Sequence, residues 1–220
     1  QEDGERSRFV RFVERQISTP NRQIRLGRIE GALSSDVRIA SITVADREGV
    51  WLRIEDARLV WSRLALLRGR LDVDRLEASS IVVSRAPLPD RAPGDDEPID
   101  DTPFQVPELP VSIELENLAV PRVEIAEGVI GPAVAMSVDG RVVLAGGDLD
   151  VDVAIERLDR PGTLSLETAF SNETRILALD LVLSEPENGV VANALSIEGR
   201  PPIELEIAGE GPLDDYAADI

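Results

Sequence analysis

Residues 149–156 read LDVDVAIE, an alternation of aliphatic and mostly acidic side chains. Successive side chains of a strand point to opposite faces, so this stretch predicts a β-strand with one apolar and one charged face. The same period recurs at residues 111–116 (VSIELE) and 203–207 (IELEI). Strands of this kind bury their apolar sides only when neighbouring strands align them on one surface.

Short alternating stretches follow one another along most of the chain. Turn signals separate them, such as residues 159–162 (DRPG) and 186–189 (PENG). No helical crossover pattern lies between them, so we expect a mostly β, mostly antiparallel sheet. About a dozen strands at ~4.8 Å each would extend roughly 55 Å, which predicts an elongated, curved sheet of the β-taco or repeating β-groove type.

Local signals refine this prediction. The apolar phase changes after residues 55–56, which indicates a bulge or bend that keeps one face buried. Asp139 and Gly140 form a dipeptide that is typical of a hairpin turn. Residues 190–197 are expected to form a further strand. Ser62 and Gly69 are suited to begin and end a short helix near residues 63–68.

The chain divides into four predicted segments. Residues 1–19 form an amphipathic helix, which either packs on the first strands or is the distal end of a missing membrane anchor. Residues 20–86 form a first β-groove segment and residues 111–220 a second one, which we expect to continue beyond residue 220. Between them, residues 87–110 form an acidic, Pro-rich loop.

The loop differs in composition from the rest of the chain. It holds seven Pro and seven acidic residues, with a single Arg. Pro removes ladder donors and the charge density opposes collapse, so we expect a solvated loop. An acidic docking tail is the alternative.

Composition excludes several classes of function. The chain has no His and no Cys, which removes Ser-His-Asp triads, Cys nucleophiles and imidazole or thiolate metal sites. A net charge of −19 opposes binding to nucleic acid. Asp148, Asp150 and Asp152 have a spacing that could bind calcium, and Glu114 and Glu116 could act as paired acids. Both sets fall on the outward face of predicted strands, so we expect no enzyme activity, no metal and no cofactor.

The apolar faces predict a binding surface instead, because an exposed aliphatic trough on a chain this charged is typical of an interaction site. Burying each CH₂ group is worth ~0.8 kcal/mol, so acyl chains fit such a surface. We expect the groove to be lined by Val50, Leu52, Ile54, Val111, Ile113, Leu115, Leu149, Val151, Val153, Ile155, Leu164, Leu166, Leu177, Leu179, Leu181, Ile203, Leu205 and Ile207.

Three stretches of the chain resemble a known family. They are residues 24–31 with the 37–44 strand, residues 50–62 (VWLRIEDARLVWS) with 66–80, and the loop end at 103–110 (PFQVPELP) with 111–113. Together they resemble the N-terminal periplasmic part of the TamB family, the inner-membrane subunits of the translocation and assembly module. The likeness covers most of residues 1–150, and the remainder is a generic β repeat.

This resemblance implies a location and a role. TamB-like proteins are anchored in the bacterial inner membrane by an N-terminal helix and cross the periplasm as a taco-shaped β structure with a hydrophobic interior. They belong with the bridge-like lipid transfer proteins, so phospholipid transport between the two membranes is the implied activity. Their C-terminal domain meets TamA, an outer-membrane barrel. That domain and the anchor are expected to lie outside this chain.

Two other functions remain open at this point. An open sheet edge could template strands of outer-membrane proteins or autotransporters by β-augmentation, as a folding scaffold. A purely structural spacer is the third possibility.

Overall fold

A single twelve-stranded sheet dominates the computed structural model, which describes residues 22–31, 34–66, 70–88, 106 and 112–219. Its strands are β1 Gln23–Leu26, β2 Ile29–Glu30, β3 Asp36–Asp46, β4 Gly49–Trp61, β5 Arg70–Glu77, β6 Ser80–Val83, β7 Ser112–Ile125, β8 Val134–Ala145, β9 Asp148–Arg157, β10 Thr163–Ser171, β11 Ile176–Glu185 and β12 Ile203–Pro212. The described residues also form helices α1 Arg63–Leu66 and α2 Val190–Ala194, and a 3₁₀ turn at Leu213–Asp215. The predicted mostly β fold is therefore confirmed.

Strand order follows chain order, from β1 through β3, β4, β5 and β7 to β12. The short β2 pairs with β3, and β6 pairs with both β4 and β7. The described strand pairs are antiparallel, except that β5 and β6 each pair with β7 in parallel. The alternation gave no signal for this exception, because parallel and antiparallel partners impose the same period of two on a strand.

The strand ends form two opposite margins of the sheet. One carries the turn at residues 46–49, the β7–β8 loop, the β9–β10 turn and the connection that holds α2, and we call it the helix margin. The other carries the turns at residues 146–147 and 172–175, and we call it the Asn172 margin.

The chain leaves the sheet after Val83 at the helix margin and is anchored there. Arg85 donates to Asp46 Oδ2 at 2.8 Å, and the Leu88 amide donates to the same oxygen at 2.9 Å. The Arg85 guanidinium holds the pKa of Asp46 well below its usual range. The chain re-enters the sheet at Ser112, on the Asn172 margin.

A second anchor lies at the Asn172 margin. The Val106 amide donates to Asn172 Oδ1 at 2.9 Å, and Asn172 Nδ2 donates to the Val106 carbonyl at 2.7 Å. The side-chain amide thus pairs with Val106 as a neighbouring strand would, and Val106 is buried. Val106 belongs to the predicted acidic loop.

The short helix predicted near residues 63–68 is present as α1. Ser62 Oγ accepts a hydrogen bond from the Ala65 amide at 3.3 Å, which is the capping role expected of Ser at this position.

The hairpin predicted at Asp139 and Gly140 is wrong, because both residues lie inside β8. Gly140 is opposite Val153 on β9, and a Cβ at Gly140 would lie 2.4 Å from the Asp152 carbonyl oxygen. The glycine therefore permits a close approach of two strands. A glycine in this role and a glycine in a turn look alike in the sequence.

The strand predicted at residues 190–197 is also wrong. β11 pairs directly with β12, so no strand lies between them, and Val190–Ala194 is helical. The Glu185 carboxylate accepts hydrogen bonds from the amides of Val191 and Ala192 at 3.0 and 2.9 Å. These bonds satisfy donors at the start of the helix that have no intrahelical partner.

The predicted N-terminal helix at residues 1–19 lies outside the described residues, as do Val111 and most of the acidic loop. In the described part of the chain, none of the helices has the length and apolar character needed to span a bilayer.

Gly140→Ala should lower the free energy of unfolding by about 1–3 kcal/mol, because the new methyl group meets a backbone oxygen that cannot move freely. The control is Gly211→Ala in β12, where the nearest atom to an added Cβ is 4.0 Å away. Urea unfolding of both variants measures the difference. Equal losses would contradict the packing role of Gly140.

Candidate binding surface

One face of the sheet is apolar across nearly its whole width. Directly paired residues share a face, so the pairings trace rows of side chains that cross the strands. One row runs from β3 to β12 through Val37, Leu59, Leu76, Leu118, Gly140, Val153, Leu166, Leu181 and Ile207. We call the surface made by this row and its parallel neighbours the apolar face, and the opposite surface the polar face.

Consecutive residues of β11 show how differently the two faces are exposed. Leu183, on the apolar face, is 7% exposed, whereas its neighbour Val182, on the polar face, is 43% exposed. Five further strands place a buried residue on the apolar face. Those residues are Val44, Val73, Val120, Val134 and Phe170, whereas Val153 of β9 is half-buried.

Complete burial is nevertheless absent from this face. Among the described residues, no large side chain is less than 2% exposed. All described strands belong to one sheet, so none of them forms a second sheet over the apolar side chains. The surface is sheltered and still accessible.

Almost every predicted lining residue lies on the apolar face. The pairings bring together Leu52, Ile54, Ile113, Leu115, Leu149, Val151, Val153, Ile155, Leu164, Leu166, Leu177, Leu179, Leu181, Ile203, Leu205 and Ile207. Val50 is separated from Leu52 by a bulge, pairs with Ala45 and is 45% exposed. Val111 lies outside the described residues.

Three polar residues share the apolar face, and the sequence prediction missed them. Thr168 pairs with Val151 and Leu179 in the middle of the surface. Arg157 and Glu185 lie at the helix margin. Each is two residues beyond the last aliphatic residue that its strand, β9 or β11, places on the apolar face. The period of two could have predicted both positions, because Arg157 follows Ile155 by two residues and Glu185 follows Leu183 by two residues.

Glu185 is 5% exposed, and its carboxylate holds the start of α2. Asn193, near the end of this helix, lies against Gly131 in the β7–β8 loop, since a Cβ at Gly131 would be 2.8 Å from Asn193 Cβ. The connection that holds α2 therefore runs along the helix margin from β11 to the β7–β8 loop.

Arg157 is held by the β9–β10 turn. Its Nε donates to Asp159 Oδ1 at 2.9 Å and its Nη2 to Asp159 Oδ2 at 2.6 Å. The guanidinium lowers the pKa of Asp159 to about 2. The Asp159 carboxylate also accepts a long hydrogen bond of 3.4 Å from the Ala135 amide, which ties the turn to β8.

The polar face is charged, and its ion pairs are exposed. Arg141 lies 2.7 Å from Asp150 and 3.7 Å from Asp152, which are two of the three aspartates considered for calcium. Their carboxylates thus have a cationic partner on a solvated strand face. Among the described residues, no group of three or more His, Cys, Asp or Glu side chains could hold a metal ion.

A cleft of about 900 Å³ lies on the polar face, near the phase change of β4. Its lining includes Asp56, Arg58, Glu77, Ser79 and Asp139. Asp56 has a φ of 49°, in the left-handed region. Arg58 is paired with Asp36 at 2.8 Å, and the lining also includes Ile39, Ala57 and Ala119, so the cleft is of mixed charged and apolar character.

No protein-family model, curated protein or solved structure matches this chain. The fold and the surface define a class of protein: a single-sheet β protein with one continuous apolar face. The resemblance to the TamB family remains a prediction from the sequence.

Leu183→Ala should lower the free energy of unfolding by about 2–4 kcal/mol, since it removes buried methyl groups and leaves a cavity. Val182→Ala, on the exposed polar face, should cost less than about 1 kcal/mol. Denaturant unfolding of the two neighbours compares the faces directly. A larger loss at Val182 would mean that the faces are assigned the wrong way round.

The Asp159 ion pair should make stability depend on pH. The folded pKa of about 2 lies below the ordinary value of 3.8. Its stabilisation is therefore complete above about pH 4 and is lost as the pH falls toward 2. Urea midpoints measured over this range should fall less steeply in Asp159→Asn than in the wild type. Asp180→Asn, an exposed carboxylate of the polar face, is the control, and an equal flattening there would contradict the assignment.

Proposed function

We propose that this chain is a segment of a hydrophobic groove that carries phospholipids between the inner and outer membranes, in the periplasm of a bacterial envelope. One observation carries the proposal: aliphatic side chains of paired strands form an uninterrupted surface from β3 to β12, and no second sheet of described strands covers it. Acyl chains match this surface because it is aliphatic, and the row from Val37 to Ile207 contains no polar side chain.

The composition of the surface supports a sliding mode of binding. Aromatic residues make up only 3% of the chain, and they usually fill deep, specific pockets. A floor of Leu, Ile and Val offers similar contacts at every position along the strand-stacking direction. An acyl chain can therefore move along it without crossing large differences in binding free energy.

The acidic polar face supports the same proposal. Side chains such as Asp180, Glu204 and Glu206 are exposed there and keep a long, mostly aliphatic sheet in solution. The chain acts without enzyme chemistry in this proposal. The resemblance to the TamB family adds an inner-membrane anchor and a TamA-like partner to the proposal.

The scaffold function by β-augmentation has less support. It needs a free sheet edge, and the outer edge of β12 is partly occupied, because Ala208 and Asp219 exchange hydrogen bonds of 3.0 and 2.8 Å. Tyr216 also donates to the Gly209 carbonyl at 2.9 Å.

Photo-crosslinking tests the proposal with neighbouring residues that face opposite ways. A photoreactive amino acid at Leu179 or Val151 should yield phospholipid adducts when the chain is expressed in a bacterial envelope and irradiated. The same group at Asp180 or Asp152, on the polar face, should yield none, because those positions face water.

Mass spectrometry of the purified adducts distinguishes the outcomes. Equal yields from both faces, or no lipid from Leu179 and Val151, would overturn the groove. Adducts with nascent outer-membrane strands at β1 or β12, without lipid adducts inside, would favour the scaffold instead.

A further inference from the structure

Arg157 is a charged residue on the apolar face, at the helix margin. It pairs with Met136 of β8 and lies one alternation beyond Ile155. Its side chain is only 7% exposed, although the Asp150 and Asp152 side chains on the polar face of the same strand are 46% and 44% exposed. The Arg157 stem lies over Gly162, where an added Cβ would be 2.9 Å from Arg157 Cγ.

The guanidinium is only partly used. Nε and Nη2 are both engaged by the Asp159 carboxylate, which fixes the plane of the group. Nη1 is buried and has no hydrogen-bond partner. A buried donor without an acceptor is destabilising, so this atom calls for an acceptor that the described residues do not provide.

The charges around Arg157 decide which acceptor fits. Asp159 already neutralises the guanidinium, and the Glu185 carboxylate lies two strands away in the same row, on the far side of Gly162. A phosphate or a free carboxylate would add negative charge beside two carboxylates in a site with little water. A neutral carbonyl oxygen accepts the hydrogen bond without that repulsion.

A glycerolipid carries such an oxygen at the junction of its apolar and polar parts. The ester carbonyl begins each acyl chain, and Arg157 lies where the aliphatic side chains of β9 end. We propose that Arg157 Nη1 donates a hydrogen bond to the ester carbonyl of an acyl chain lying on the apolar face. This rests on the proposed function and assigns the occupant to esterified rather than ether-linked lipids.

The proposed hydrogen bond lies at a site with little exposure, since the Arg157 side chain is only 7% exposed. The connection that holds α2 runs along the same margin between Glu185 and Gly131. In a site with little water, a hydrogen bond to a charged donor contributes more to discrimination than it would at an exposed surface.

Ester and ether lipids of identical headgroup and chain length provide the test. Unlabelled diacyl and dialkyl-ether phosphatidylcholine compete for the purified chain with a fluorescent diacyl phosphatidylcholine. The wild type should prefer the diester by about tenfold, the effect of one hydrogen bond to a charged group. Arg157→Met keeps the aliphatic stem and removes the donors, so the ratio should fall to about one while the ether lipid binds as before.

Two further variants control for charge and folding. The double variant R157M/D159N removes the carboxylate that Arg157→Met leaves unpaired, and it should lose the preference equally. Arg141→Met removes an exposed Arg from the polar face and should keep the wild-type ratio.

Each outcome separates this inference from the proposed function. Equal binding of diester and diether to the wild type, a measurement that needs no variant, would overturn the role of the ester carbonyl and leave the groove intact. Persistence of the preference in both Arg157 variants would also overturn it. Failure of both lipids to displace the probe from the wild type would overturn the proposed function itself.

Discussion

The structure depends on keeping the aliphatic side chains of every strand on the same face. Because side chains alternate with a period of two, a shift of one residue would turn a whole strand inside out. The chain corrects the phase where it changes, with register shifts between Leu115 and Leu118 and between Val120 and Val123 in β7. Asp56 marks the corresponding change in β4, at a φ of 49°. The continuous apolar face is the sum of these local corrections.

The parallel contacts of β5 and β6 with β7 impose a second constraint. β6 ends at the helix margin, whereas β7 begins at the Asn172 margin and runs parallel to β6. The intervening chain must therefore cross from one margin to the other before β7 can pair with β5 and β6. The structure anchors that connection at both margins, through Arg85 with Asp46 and through Val106 with Asn172. A loop that composition alone describes as solvated is thus tied to the sheet near both of its ends.

Much of this architecture could be predicted from the sequence, because alternation is a local signal. It gave the mostly β class, and almost every lining residue that it predicted lies on the apolar face. It failed where one residue type serves two purposes: the Asp-Gly dipeptide predicts a turn, although Gly140 lies inside β8 and permits the close approach of β9. It also failed where a distant group decides the structure, since the α2 helix starts on the Glu185 carboxylate. The charged residues of the apolar face were missed because a charge was assumed to mark the outward face.

From β7 to β12, each strand pairs with its neighbours in the chain. Such a sheet has energetics that resemble those of repeat proteins, in which each unit is stabilised mainly by the next one. Insertion or deletion of two consecutive strands would preserve both the chain direction and the side on which the aliphatic residues fall. The span of the protein could therefore have been adjusted during evolution in steps of one hairpin, with little change to the strands already in place.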